Sequence, residues 1–134
     1  MTPTSRRCLI VCLLMLSIAV PVLAHHSVQA EFKINNKTTI TGVLTKIEWI
    51  NPHSYFYVDV KDEKGNVTNY VAESYPTGFF HRAGITRDMF HLGDTVTVVL
   101  FLAKDPSISR TGWMHELTLA NGRTITFDNN DEKQ

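Results

Sequence analysis

The feature that most constrains this chain is a series of short β-branched segments in which apolar and polar side chains alternate. In the first segment, from Thr38 to Ile50, one face is shared by Val43, Thr45, Ile47 and Trp49. A two-residue period of this kind is typical of a strand that buries one face. The sequence therefore predicts a mainly β domain.

Turn residues divide the rest of the chain into five further predicted strands. Asn51-Pro52 ends the first strand, because proline donates no hydrogen bond to a sheet. Gly42 lies where the alternation changes phase, which predicts a bulge or tight bend. Asn121-Gly122 is typical of a type I′ hairpin. The later strands are predicted at Ser54–Val60, Val67–Glu73, Thr95–Ala103, Trp113–Ala120 and Arg123–Phe127.

The segment from Ser74 to Phe90 differs in composition from the predicted strands, with glycine and proline among its apolar residues. We predict short helical turns at Thr77–Arg82 and Thr86–Phe90, with Thr86 as the cap of the second. Three strands, a short helical connector, two strands and a hairpin strand follow the order of a Greek-key barrel. The predicted fold is all-β with one short helical connector, in a five- to six-stranded barrel. A simple antiparallel sandwich or roll has the same order of elements and is the alternative fold.

The first 24 residues have the pattern of a signal peptide. A cationic start precedes the apolar run Cys8–Val20, and Val22-Leu23-Ala24 fits a signal peptidase site. Cleavage after Ala24 leaves 110 of the 134 residues, enough for one domain. We expect a periplasmic protein with no stable membrane insertion after cleavage; an uncleaved anchor is the alternative, and both general secretory and twin-arginine export stay open.

The predicted organisation is a signal peptide (1–24), an N-terminal arm (25–36), a barrel domain (37–128) and a polar tail (129–134). The mature part carries 11 Lys and Arg against 13 Asp and Glu, because Arg6 and Arg7 leave with the signal peptide. A domain this close to neutral has no broad positive field, so we expect no nucleic-acid partner. Both cysteines, Cys8 and Cys12, also leave, which removes disulfide and thiol chemistry.

Cleavage after Ala24 would create a group of nitrogen donors at the new amino terminus. His25 would supply its free amine and its imidazole, and His26 a second imidazole. Such donors favour Cu(II), and they also bind Zn(II) or Ni(II). Copper is therefore the one candidate cofactor, and two exposed histidines that bind metal only adventitiously are the alternative.

His53 follows the Asn51-Pro52 bend and is the third predicted metal ligand. If the arm reaches this bend, His25, His26 and His53 would surround one ion and leave a coordination position open. The alternative is structural, because a histidine at a bend commonly bonds a nearby carbonyl.

A second candidate site is an aromatic ligand surface formed by Trp49, Tyr55, Tyr57 and Tyr75. Barrels of this type can stack ligands on aromatic side chains. The structural alternative divides these rings between the core and cross-strand pairs.

No motif assigns a catalytic residue. The chain has no Gly-x-Ser-x-Gly motif, no phosphate-binding glycine loop and no mature cysteine nucleophile. Asp59, Glu73 and Glu116 are expected on strands, where two of them could face each other in a cleft. Their spacing does not indicate such a pair, and strand carboxylates usually face solvent.

Several segments in succession resemble a bacterial family of small exported proteins of unknown function, DUF6152. The most specific are His25-His26-Ser27 and Trp49–His53. Similarity runs through nearly all of residues 24–127 in AHHSVQAEF, TITGVLTKIEWINPHSYFYVDV, GNVTNYVAES, AGITRD, GDTVTV, AKD and LANGR. The resemblance implies a periplasmic, OB-like β-barrel without an established activity.

Three functions remain to be separated. The first is an exported binding domain for a small ligand, a metal ion or a periplasmic partner protein, with copper held by the mature N-terminal histidines. The second is a purely structural or partner-binding accessory domain. The third is a copper-dependent oxidative enzyme, ranked last because a domain of 110 residues shows no evident substrate face.

Overall fold

A computed structural model describes residues 28–127 of the chain. It begins with the single-turn helix α1, and a second short helix, α2, separates the third and fourth of six strands. The elements are α1 (Val28–Glu31), β1 (Phe32–Glu48), β2 (Tyr55–Lys61), β3 (Val67–Glu73), α2 (Thr77–Arg82), β4 (Thr95–Ala103), β5 (Thr111–Thr118) and β6 (Thr124–Thr126). Two 3-10 turns, Arg87–Met89 and Pro106–Ile108, flank β4.

The strands form one sheet that closes on itself. Their order is β3-β2-β1-β4-β5-β6, and an additional pairing joins β3 to β5. That pairing is parallel, with Val71 opposite Thr111 and Glu73 opposite Trp113, whereas the other pairs are antiparallel. β1 to β5 therefore complete a barrel with a helix between its third and fourth strands, which is the OB topology. The predicted fold is confirmed, and the alternative of a simple antiparallel sandwich or roll is excluded.

β1 has 17 residues and is long enough to pair with both of its neighbours. It pairs with β4 over Phe32–Val43 and with β2 over Val43–Glu48. At Gly42 a Cβ atom would lie 2.3 Å from the carbonyl oxygen of Asp59, so only glycine allows this close approach of backbones. The register of β1 against β2 shifts between Leu44 and Lys46, so the irregularity lies beside the predicted glycine.

The inner core fills the barrel with aliphatic and aromatic side chains. Phe56, Val58, Leu100 and Met114 are fully buried on alternate positions of their strands. α2 packs over one opening and inserts Phe80, whose ring lies 4.7 Å from that of Trp49 and 6.1 Å from that of Phe56.

A smaller apolar cluster lies outside the barrel, and we call it the outer cluster. It consists of Phe32, Phe101, Ala103 and Trp113, and Val28 of α1 packs against it. The start of the described chain is held there by Lys104, whose backbone N–H donates to the carbonyl of Glu31 at 2.8 Å. The Lys104 ammonium also donates to the carbonyl of Gln29 at 2.6 Å.

Some local predictions need correction. β1 begins at Phe32 rather than Thr38, because pairing with β4 extends into the predicted arm. The turn before β6 is not type I′, because Gly122 has a φ of 83° whereas no other kind of residue in 28–127 has a positive φ. Thr86 stands at the cap position but makes no side-chain capping hydrogen bond. No helix within residues 28–127 has the length and apolar character needed to cross a membrane.

Candidate functional site

The central pair of the candidate site is His53 and Glu73. His53 Nδ1 donates to Glu73 Oε1, and the two side chains are 37% and 15% exposed. No hydrogen bond to a described residue engages the other ring nitrogen, Nε2. The imidazole is therefore held by one nitrogen while the other remains free to bind.

Strand pairing fixes the positions of both residues. Glu73 is the last residue of β3 and lies opposite Tyr55, the first residue of β2. Just beyond this pair, Ser74 N–H donates to the carbonyl of Ser54 at 2.9 Å, and Ser54 N–H donates to that of Tyr75 at 3.1 Å. His53 therefore directly precedes a residue, Ser54, whose main chain is fixed by two hydrogen bonds.

Trp113 forms a second wall of the site. The parallel pairing of β3 with β5 puts it opposite Glu73. Its ring meets that of His53 edge-on at 5.3 Å between centroids, and it also contacts Tyr75 and Phe32. Trp113 is 5% exposed, and its buried Nε1–H has no hydrogen-bond partner in the described part of the chain. A buried donor without a partner is uncommon in folded proteins.

Glu73 also lines a cavity of about 400 Å³. Its walls include Ala30 and Glu31 of α1, together with Phe32, Lys104 and Ile108. Glu73 thus borders both the cavity and His53, and the first described turn of the chain forms part of the same wall.

Charged and phenolic groups around the site affect one another. Partial burial, and then the negative charge of Glu73, raise the pKa of Tyr55. On the same face, Glu48 accepts a hydrogen bond from the hydroxyl of Tyr57 at 2.9 Å. Lys46, followed by Tyr57, lowers the pKa of Glu48. This part of the barrel surface is therefore a polar network next to the His53–Glu73 pair.

The four predicted ligand-surface aromatics occupy two different environments. Trp49 and Tyr75 pack against the inner core. Tyr55 and Tyr57 lie on the opposite face of β2 from the buried Phe56. The structure brings Tyr55 close to Glu73, whereas Trp49 is engaged with the rings of the core.

His25 and His26, the other two predicted metal ligands, lie outside the described residues. Within residues 28–127 no group of three or more His, Cys, Asp or Glu side chains is arranged to hold a metal ion. His81 and His91 are exposed on the connector, and His115 Nε2 lies 2.8 Å from the Lys37 ammonium.

Sequence reasoning missed the roles of Glu73 and Trp113. Glu73 was expected on a strand without a partner, and the aromatic set did not include Trp113. The register of β2 against β3 could have indicated Glu73. Glu73 lies opposite Tyr55 in this antiparallel pair, and Tyr55 follows His53 by two residues. No local signal announces Trp113, since its position depends on the parallel closure.

Comparison with protein families gives one decisive match. A model of a family of unknown function, DUF6152, matches residues 13–113. The chain belongs to the DUF6152 family. The DUF6152 match covers every residue of the His53 pair and its Trp113 wall, and no curated protein matches the chain.

Among solved structures, this DUF6152 protein is similar to the crystal structure of the mitochondrial single-stranded DNA binding protein Rim1 from S. cerevisiae. The identity is 12%, the match covers 63% of this chain and 93% of Rim1, and the TM-score is 0.47. A superposition at this level carries no functional argument, and the OB assignment rests on the strand pairing above.

Proposed function

We propose that this protein is an exported binding domain that holds a transition-metal ion, first of all Cu(II), between its mature N-terminal histidines and His53. Its ligands would be the amine and imidazole of His25, the imidazole of His26 and the Nε2 atom of His53. The observation that carries the proposal is the hydrogen bond between His53 Nδ1 and Glu73, which leaves Nε2 as the binding atom.

That hydrogen bond is the one that metal-binding histidines commonly make. A ligating imidazole usually donates its second ring N–H to a carboxylate or carbonyl, which fixes the ring and strengthens the ligand. Glu73 supplies such a carboxylate, and the 37% exposure of His53 leaves its ring accessible.

The start of the described chain supports a contact between the N-terminal tip and His53. Val28 packs on the outer cluster, and Trp113 of that cluster meets the ring of His53. α1 and Glu73 also line one cavity. His26 precedes Val28 by two residues, which span at most about 7 Å between Cα atoms. The proposed N-terminal ligands therefore precede a residue that packs on the outer cluster, and Trp113 of that cluster contacts His53.

Donor chemistry favours Cu(II) over oxygen-preferring ions. Imidazole and amine nitrogens bind a metal ion through a lone pair, and the metal displaces any proton that they carry. Nitrogen ligands select late first-row metals, with Cu(II) at the top of the affinity order.

Calorimetry with three proteins tests the proposal. We expect one Cu(II) per chain for the protein that begins at His25. A version with one glycine before His25 should bind at least about tenfold more weakly, because its amine is displaced, and His53→Ala should lose a similar factor. His91→Ala is the matched control. His91 is exposed on the connector, so this substitution should leave the Cu(II) affinity unchanged. Equal affinity in all of them would contradict the metal site. Mass spectrometry of the exported protein should find His25 as its first residue.

A binding domain for a small molecule or partner, without metal, is the second candidate. The cavity beside Glu73 favours it, because about 400 Å³ can hold a small ligand. This candidate predicts the same thermal midpoint with and without Cu(II), whereas metal binding raises the midpoint through linkage.

A further inference from the structure

We infer that Glu73 is the positioning residue of the proposed metal site, because it holds His53 in the tautomer that carries its proton on Nδ1 and offers Nε2. The inference rests on the proposed function. It adds a residue that acts on the metal only through another side chain.

The tautomer follows from the chemistry of the pair. An ionised carboxylate has only acceptors, so the Nδ1 atom that contacts Glu73 must carry the hydrogen. In neutral imidazole the other nitrogen then holds the lone pair. An imidazole without such a partner would divide between two tautomers, and only one of them has Nε2 ready to bind.

The backbone keeps Glu73 where this control requires it. Antiparallel pairing with Tyr55 on one side and parallel pairing with Trp113 on the other fix its Cα. Trp113 also presents its ring to His53, so the imidazole is restrained by a hydrogen bond and by an aromatic edge. A ligand held from two directions loses less conformational freedom when it binds.

Glu73 itself is not assigned as a metal ligand. Its Oε1 atom is engaged by His53, and its side chain is 15% exposed against 37% for His53. Glutamine at position 73 would offer a carbonyl oxygen to Nδ1–H and an amide N–H to an Nδ1 lone pair, so it would no longer select one tautomer. A residue that acts only through His53 should lose its effect when His53 is absent, so Glu73→Ala with and without His53→Ala distinguishes positioning from ligation.

The first measurement needs no metal. Nitrogen-15 NMR of the imidazole in the protein that begins at His25 should show the Nδ1–H tautomer of His53. Glu73→Gln and Glu73→Ala should both give a mixture of the two tautomers. Glu48→Gln is the matched control, because Glu48 bonds Lys46 and Tyr57 on the same surface and should leave His53 unchanged.

The second measurement is Cu(II) affinity of the same proteins. Loss of an outer-shell partner typically weakens metal binding about 10- to 100-fold, so Glu73→Ala should fall in that range. Glu73→Ala in the His53→Ala protein should cause no further loss, and Glu48→Gln should match the parent. Circular dichroism melts establish that each variant is folded.

Two results would overturn the inference. An unchanged His53 tautomer in Glu73→Ala would show that Glu73 does not select it. A further loss of Cu(II) affinity from Glu73→Ala in the His53→Ala protein would show that Glu73 binds the metal directly. If the parent binds no Cu(II), the proposed function fails together with any role of Glu73 toward a metal, and the NMR spectra still decide whether Glu73 sets the tautomer.

Discussion

The inner core and the outer cluster are both apolar, but they differ in size and in the groups that surround them. The inner core is enclosed by the strands of the barrel and α2, and its buried side chains pack on one another. The outer cluster has only Phe32, Phe101, Ala103 and Trp113, and it lies beneath α1 beside His53 and Glu73. One region is occupied by packing alone, whereas the other combines packing with polar groups that can bind.

This difference indicates where function can reside on a small barrel. Every buried ring of the inner core contributes to closing the barrel, so a change there costs stability. Beside the His53–Glu73 pair, the buried Trp113 Nε1–H and the Ser74 hydroxyl have no hydrogen-bond partner among residues 28–127. Unsatisfied groups of this kind cost folding energy and are more often found at functional sites.

The largest expected effect comes from Phe80→Ala in the inner core. Phe80 is fully buried among Phe56, Phe79 and Trp49. Truncation should lower the free energy of unfolding by about 3–5 kcal/mol. Val28→Ala at the outer cluster is half-buried and should cost about 1 kcal/mol or less. Urea unfolding measures both, and equal losses would remove the distinction between the two regions.

A smaller effect separates two serines that adjoin the site. Both are fully buried, but Ser54 Oγ donates to the carbonyl of Ile50 at 3.3 Å, whereas Ser74 Oγ has no partner. Ser54→Ala should cost about 1 kcal/mol, and Ser74→Ala should be neutral or stabilising by up to about 1 kcal/mol. Thermal melts of the pair test this difference. A loss in Ser74→Ala as large as that in Ser54→Ala would contradict it.

The smallest effect is a pH dependence at Tyr55. Its pKa in the folded protein is raised, first by burial and then by Glu73. Above the ordinary tyrosine pKa of about 10, the unfolded chain therefore loses the proton first. Stability from this group is present below pH 10 and declines as pH rises through the folded pKa. Tyr55→Phe should show a shallower decline in urea unfolding between pH 9 and 11, and identical slopes would contradict the shift.

Much of the fold was predictable because its signals are local. Alternation and turn residues give the observed bounds of β3, α2 and β4, and the position of the connector indicates the barrel. The predicted start of β1 was wrong because Phe32 and Lys37, at the two ends of a mostly polar stretch, join the strand through long-range pairing with Ala103 and Phe101 of β4. Tertiary pairing of this kind overrides local propensity.

The candidate site was predictable only in part. His53 was identified because it follows a proline bend and repeats the chemistry of the N-terminal histidines. The partner of that histidine was not, since Glu73 comes 20 residues later and a strand carboxylate usually faces solvent. Trp113 required the parallel closure, which depends on two strands separated by α2 and β4.

Paramagnetic broadening of the NMR spectrum by Cu(II) tests the central claim most directly. One equivalent added to the protein that begins at His25 should broaden the signals of Val28, His53 and Trp113. The Asp62–Asn66 loop should stay sharp, because it lies about 25 Å along β2 from His53. Broadening centred on His81 or His91, with the signals around His53 unaffected, would contradict the account.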